Sequence, residues 1–174
     1  MEQTYNISLF TENSIGILNR ITIIFTRRHL NIESITASEC EIQGVFRYTI
    51  VLNTTEEQVI KVVNQIEKQV DVLKAFYHTD SDVVYQEMAL YKIPTNLNNG
   101  EEMEQILRQH QARILSLSPE FTTIEKTGRP EEIKGLFDAL TNFGVLEFAK
   151  SGRVAISKPM KTLEDYLKDM SVEM

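Results

Sequence analysis

The sequence predicts an α+β protein made of two β-α-β-β-α-β units. Segments in which apolar residues alternate with polar ones are interspersed with segments of helical spacing. The same order of elements occurs in both halves of the 174-residue chain, without obvious residue identity between them. Hydrophobic residues make up 42% of the chain, which is enough to form packed cores without metal or disulfide staples.

The first unit begins with an alternating strand in which Tyr5, Ile7 and Leu9 share one face. The first helix follows and ends near His29. Its apolar face is predicted to consist of Ile17, Leu18, Ile21, Ile24 and Phe25. Two strands, NIESITASE and VFRYTIVL, then flank a hairpin that contains Gly44. Thr55 resembles the start of a capping box for a second helix, and VDVLKAFY closes the unit as a strand.

The second unit follows a short polar stretch that is predicted to be a linker, residues 79–86. EMALYKI is a strand, and Met103, Ile106, Leu107 and His110 mark a helical face. ARILSLS and FTTIEKT are strands, Pro130 opens the next helix, and GVLEFAK with GRVAIS ends the unit. The predicted domains are 1–78 and 87–160, followed by a helical tail over 161–174.

Each unit is expected to place two amphipathic helices on one face of a four-stranded antiparallel sheet. The other face and an edge strand then remain uncovered. This predicts pairing between chains, either by continuation of the sheet edge or by packing of the open faces.

The stretch TENSIGILNRI joins the first strand to the first helix. Asn13 or Ser14 is a candidate N-cap, and Gly16 occupies the tightest point of the turn. Backbone N–H groups at the start of a helix favour an anion such as a carboxylate. The turn is therefore either a plain capped helix start or a ligand-binding loop.

Asn31, at the start of the second strand, adds an amide that can accept from an ammonium group and donate to a carboxylate. This end of the strand is expected to neighbour the first turn, within one chain or across a pairing edge. Together these groups suit a zwitterion. The candidate effector-binding residues are Asn13, Gly16 and Asn31, with Ile15, Ile17 and Ile32 as an apolar lining.

The sequence contains no convincing nucleophile–base set, phosphate-binding loop or dinucleotide fingerprint, so no catalytic residue is predicted. His29, His78 and His110 lack metal-ligand spacing, and no metal site is predicted. We interpret His110 as a packing residue and residues 78–82 as plain linker.

A formal net charge of −7 disfavours nucleic acid as a partner, and no apolar run is long enough to span a membrane. The polar start and the single Cys40 favour the cytoplasm. RNA-recognition domains share the β-α-β-β-α-β order and place aromatics on the third strand, where this chain has GVFRYTIVL. Val45 replaces an aromatic of that motif, and no basic stripe surrounds it.

The segment ENSIGILNRITIIFTRRHLNIESIT resembles the opening ACT domain of the small regulatory subunit of acetohydroxyacid synthase, also called acetolactate synthase. The resemblance continues through VDVLKAF, EMALYKI and RILSLSPEFTTIEKTG to FGVLEFAKSGRVAISK, and so covers nearly the whole chain. Lys150 stands where this family usually has Arg.

The resemblance implies two ferredoxin-like domains, the first of them an ACT domain, and a homodimer formed through the ACT sheets. It implies a feedback amino acid, usually valine, bound at that interface, with Asn13, Gly16 and Asn31 at the effector positions. It also implies activation of a separate catalytic subunit that carries thiamine diphosphate, FAD and Mg²⁺. This chain itself is expected to hold no cofactor. A free-standing amino-acid-binding ACT module with another target remains the alternative.

Overall fold

A computed structural model describes residues 1–95, 100–158 and 165 of the chain. They form two compact units, one of residues 1–84 with the described residues from 153 onward, the other of residues 85–152. The main elements of each unit follow the order β-α-β-β-α-β, which confirms the predicted fold class.

The first unit is an antiparallel sheet of order β2-β3-β1-β4 with both helices packed against one face. Ile7 in the central strand β1 lies opposite Ile50 in β3 and Tyr77 in β4. The elements are β1 (Gln3–Glu12), α1 (Ile17–Arg27), β2 (Ser34–Glu39), β3 (Val45–Thr54), α2 (Glu56–Ile66) and β4 (Val72–Thr79).

The core of this unit lies between the helices and the side chains of alternate strand residues. Helix α1 buries Ile17, Ile21, Ile24 and Phe25, which recur at the spacing of one helical face. Leu18 was predicted on that face, but its side chain is 45% exposed, since it lies at the margin of the stripe. Helix α2 starts at the predicted cap, where the Thr55 hydroxyl accepts a bond from the Gln58 N–H at 3.4 Å.

The second unit has a sheet in the order β6-β7-β5-β8, again antiparallel. Pro130 occupies the first turn of its second helix, as predicted. The elements are β5 (Val83–Pro94), α3 (Gly100–Gln109), β6 (Arg113–Leu117), β7 (Phe121–Gly128), α4 (Pro130–Leu140) and β8 (Glu147–Lys150).

Two side chains show how this second core is assembled. Tyr91 is fully buried and donates its hydroxyl to the Ile133 carbonyl at 2.7 Å, and burial raises its pKa to about 12. His110 is partly buried beside helix α4, where a methyl group added to Gly135 would lie 3.6 Å from the imidazole Cε1. The interpretation of His110 as a packing residue is confirmed.

The structure differs from the predicted linker at 79–86. That stretch holds the end of β4, a 3-10 turn at Asp80–Asp82 and the start of β5 at Val83. The Asp82 carboxylate accepts bonds from both the backbone N–H and the hydroxyl of Thr79, so hydrogen bonds order this polar segment.

The final strand, β9 (Val154–Ser157), was predicted to complete the second domain. It pairs with β5, as a fifth strand of that sheet, but the described residues from 153 onward group with the first unit. The reason lies in its hydrogen bonds. Thr36 of β2 donates its hydroxyl to the Arg153 carbonyl at 2.6 Å, and Arg47 of β3 donates to the Ala155 carbonyl at 2.5 Å. The helix-free face of the first sheet, predicted to be bare, is therefore partly covered by residues 153–158.

Arg153 fixes this returning segment to the sheet. Its guanidinium Nη1 donates to the Asn6 Oδ1 at 3.0 Å and to the Asp80 Oδ1 at 2.7 Å. The amide of Asn6, which is fully buried, donates to the same Asp80 oxygen at 2.8 Å. A buried amide and a largely buried cation thus satisfy one another.

The predicted helical tail over 161–174 lies outside the described residues, except for Asp165. Among the helices that the structure describes, none combines the length and apolar character needed to span a membrane.

We expect Arg153→Ala to lower the free energy of unfolding by about 1–3 kcal/mol, because it leaves Asn6 and Asp80 without their shared donor. Urea unfolding followed by circular dichroism measures this. Arg108→Ala is the control, since its pair with Glu104 lies on an exposed helix surface and contributes about 0–0.5 kcal/mol. Equal effects of the two substitutions would contradict this role for Arg153.

Candidate functional site

Gly16 shapes the turn between β1 and α1. It occupies the N-cap position with φ 83° and ψ 1°, in the left-handed region that glycine adopts most readily. No side chain caps this helix, so the prediction of Asn13 or Ser14 as N-cap was wrong. The Ser14 hydroxyl bonds elsewhere, and Asn13 is exposed.

The turn presents free backbone donors beside the positive end of a helix. The N–H of Ile17 donates to the Ser14 carbonyl at 3.3 Å, and that of Arg20 donates to the Gly16 carbonyl at 3.1 Å. Among the described residues, the N–H groups of Gly16, Leu18 and Asn19 have no hydrogen-bond partner. Such a group of donors can hold a carboxylate.

A charged network that the sequence analysis missed lies beneath the turn. Arg20 forms an ion pair with Asp71, which comes just before β4, and both bond to Ser14. The Ser14 hydroxyl, and after it the Arg20 guanidinium, lowers the pKa of the Asp71 carboxyl. Fifty-seven positions separate Ser14 from Asp71, so no local pattern pointed to this contact.

The three predicted apolar lining residues have different environments. Ile17 is buried in the core and Ile32 packs against the core, so both serve the fold. Ile15 is fully exposed at the tip of the turn. Leu18, in the first turn of α1, is also exposed, although the sequence analysis assigned it to the core. Ile15 and Leu18 are therefore the apolar side chains available to a ligand or a second chain at this turn.

Asn31 lies at the opposite end of the sheet from the turn. Glu12, where β1 ends, is opposite Val45 in β3, whereas the N–H of Glu33 donates to the Val51 carbonyl at 2.8 Å. Val45 and Val51 are six strand residues apart, or about 20 Å. The expectation that Asn31 neighbours the turn within its own chain is therefore wrong, and only the arrangement across two chains remains.

The aromatic residues of the third strand do not form an RNA-binding surface. Tyr48 is buried in the core under the helices, and Phe46 packs against the same core. An RNA-recognition sheet would present these aromatics on its helix-free face. The RNA-binding interpretation therefore loses the residues on which it depended.

Metal-ligating side chains are dispersed in the part of the chain that the structure describes. Within residues 1–95, 100–158 and 165, no group of three or more His, Cys, Asp or Glu side chains could hold a metal ion. Cys40 is a free, partly buried cysteine.

The sheet order β2-β3-β1-β4, with a glycine turn ahead of its first helix, is that of an ACT domain. A family model described as the AHAS small subunit-like ACT domain matches residues 7–74. A second model, described as the small subunit of acetolactate synthase, matches residues 86–159. The chain belongs to the acetolactate synthase small-subunit family.

Relatives and a solved structure agree with this membership. The chain is 34% identical to the acetolactate synthase small subunit of Bacillus subtilis, over 95% of this chain and 97% of the relative. It is 32% identical to a probable acetolactate synthase small subunit of Methanothermobacter thermautotrophicus, over 92% and 96% of the two chains. The crystal structure of the acetolactate synthase small subunit from Thermotoga maritima is similar with a TM-score of 0.83 and 27% identity, covering 91% of this chain and 99% of that one.

We expect Gly16→Ala to destabilise the protein by about 1–2 kcal/mol, because a side chain at positive φ is strained. The space around Gly16 is open, so the cost comes from the backbone and not from a clash. Gly100→Ala is the matched control, because that glycine also lies in open space at the start of a helix but lacks a positive φ. Thermal unfolding of both variants measures the difference, and equal melting temperatures would contradict the strained turn.

Proposed function

We propose that this chain is the regulatory subunit of an acetohydroxyacid synthase. It activates a separate catalytic subunit and reduces that activation when a branched-chain amino acid, valine first among them, binds between two copies of the ACT domain. Family membership supports the non-catalytic role. The proposal that the effector binds between two chains rests on one observation: the Gly16 turn and Asn31 lie at opposite ends of one sheet.

Pairing of two chains through β2 brings these two ends together. Strand β2 is an edge strand of the first sheet, and residues 153–158 partly cover the helix-free face. If two β2 strands pair antiparallel about a two-fold axis, the start of one lies beside the end of the other. The last residues of β1 and β2 lie at the same end of the sheet, since they are opposite Val45 and Phe46 of β3. Asn31 of one chain therefore approaches the turn of its partner.

The groups assembled in this way match an aliphatic amino acid. The free amides around Gly16 bind its carboxylate, the Asn13 and Asn31 amides serve its polar groups, and Ile15 contacts its side chain. Hydrogen bonds to charged groups contribute about 1.5–3 kcal/mol each, before the cost of association is subtracted. The resulting affinity falls in the micromolar to sub-millimolar range, which suits the sensing of a metabolite pool.

Regulation then follows from a shift between two arrangements of the dimer. Because the ligand contacts both chains, it favours the arrangement in which the two halves of its site are together. That arrangement is the poorer activator. Thiamine diphosphate, FAD and Mg²⁺ reside in the catalytic subunit, and this chain supplies only control.

The assay that tests this function measures condensation of pyruvate by the catalytic subunit, with and without this chain and with added valine. We expect the chain to raise turnover and valine to reduce it. Asn13→Ala should weaken inhibition at least about tenfold while sparing activation, because the exposed Asn13 makes no contact in the core. Unchanged turnover on adding the chain would favour a free-standing ACT module with another target.

Mixed dimers test whether each site uses two chains. Dimers made only of Asn13→Ala chains, or only of Asn31→Ala chains, should each bind valine at least about tenfold more weakly than the unsubstituted dimer. A mixed dimer of the two variants should regain one intact site, made of Asn13 from one chain and Asn31 from the other. Calorimetric titration of the mixture measures the recovered binding. Isoleucine and leucine are titrated in parallel, and no recovery in the mixture would contradict a shared site.

A further inference from the structure

We infer that Arg20 and Asp71 are positioning residues of the effector site, and that their ion pair, through Ser14, holds the amide turn in the shape that binds the ligand. This inference rests on the effector site proposed above. Neither residue needs to touch the ligand. Their role is to fix residues 13–16 between β1 and α1.

Asp71 is distant from the turn in sequence. Its side chain contacts the turn, and its backbone contacts the end of β1. Its carboxylate Oδ2 accepts from the Ser14 hydroxyl at 2.9 Å and from the Arg20 guanidinium. Its backbone carbonyl accepts from the N–H of Glu12, the last residue of β1, at 2.9 Å. Asp71 therefore fastens the turn to the end of the strand that leads into it.

Arg20 fastens the same turn from the helix side. Its Nη2 donates to the Ser14 Oγ at 3.0 Å as well as to Asp71, and its backbone N–H donates to the Gly16 carbonyl at 3.1 Å. The Arg20 Nε is buried and has no hydrogen-bond partner among the described residues. The Arg20–Asp71 ion pair is therefore not the bidentate arrangement that arginine commonly forms with a carboxylate. Nη2 alone contacts the carboxylate, and the same nitrogen donates to Ser14.

Without this network, the turn has few restraints of its own. The Ser14 N–H donates to the Glu12 carbonyl at 3.0 Å, and the Ile17 N–H bonds back to the Ser14 carbonyl at 3.3 Å. Asn13, Ile15 and Gly16 are exposed. A loop that must be ordered by its ligand loses affinity to the cost of that ordering. The network supplies the order in advance.

The network is expected to matter more for binding than for overall stability. The Arg20 side chain is 41% exposed and that of Asp71 is 19% exposed, so solvent partly screens the ion pair and limits what it contributes to folding. A merely structural pair would change the melting temperature and leave ligand affinity intact. A positioning pair changes affinity first.

The test is calorimetric titration of valine into the full chain and its variants, with melting temperatures measured alongside. We expect Asp71→Asn, Arg20→Gln and Ser14→Ala each to weaken valine binding about tenfold, with little change in melting temperature. Glu67→Gln is the matched control. It breaks the ion pair to Lys74, which has similar exposure and also lies near the start of β4, but does not contact the turn.

The outcomes separate this inference from the proposed function. If the unsubstituted chain binds valine and all three variants bind it equally well, the inference is wrong and the effector site stands. If the unsubstituted chain binds none of valine, isoleucine and leucine, the effector site is wrong and the inference falls with it. If Asp71→Asn lowers the melting temperature more than Glu67→Gln does, Ser14→Ala decides: weaker binding at an unchanged melting temperature upholds the inference, and unchanged binding overturns it.

Discussion

The backbone of Gly16 is the constraint on which the candidate site depends. A left-handed residue at the N-cap turns the chain sharply enough for β1 to pass directly into α1. It also removes the side-chain cap that a serine or asparagine would supply, and this leaves the N–H groups of Leu18 and Asn19 without partners among the described residues. The geometry that closes the fold at this corner is therefore also the geometry that creates an anion-binding surface.

Strand polarity explains why one chain does not complete the proposed site. In a β-α-β unit the helix carries the chain back along the strand, so Asn31, which precedes β2, lies at the far end of the sheet from the β1–α1 turn. Helix α1 alone spans about 16 Å. A ligand that needs both ends consequently reports on the association of two sheets, and such a site is suited to control of an assembly.

Local patterns in the sequence predicted the fold class, the helix faces and the glycine turn, because each depends on residues close in the chain. The cap at Thr55 and the helix start at Pro130 were predicted for the same reason. The contacts that were missed join distant residues: Asp71 with Ser14, and Arg153 with Asn6. Neither contact leaves a periodic signal, and the placement of GRVAIS with the first unit depended on the second of them. Leu18 was misplaced because spacing alone does not fix the edge of a buried stripe.

The route of the chain gives Arg153 a consequence for folding during synthesis. The ribosome makes Asn6 and Asp80 long before Arg153, with the whole of 85–152 in between. The first sheet can form its helix-covered core early, because that core comes from contiguous sequence. The buried Asn6 side chain, however, gains its bond from Arg153 only after the ribosome has made the second unit. The unit that emerges first is therefore completed last. A chain truncated before residue 153 would keep the hydrophobic core under the helices but would leave the polar side chains of the helix-free face, such as Asn6, without their partners from residues 153–155.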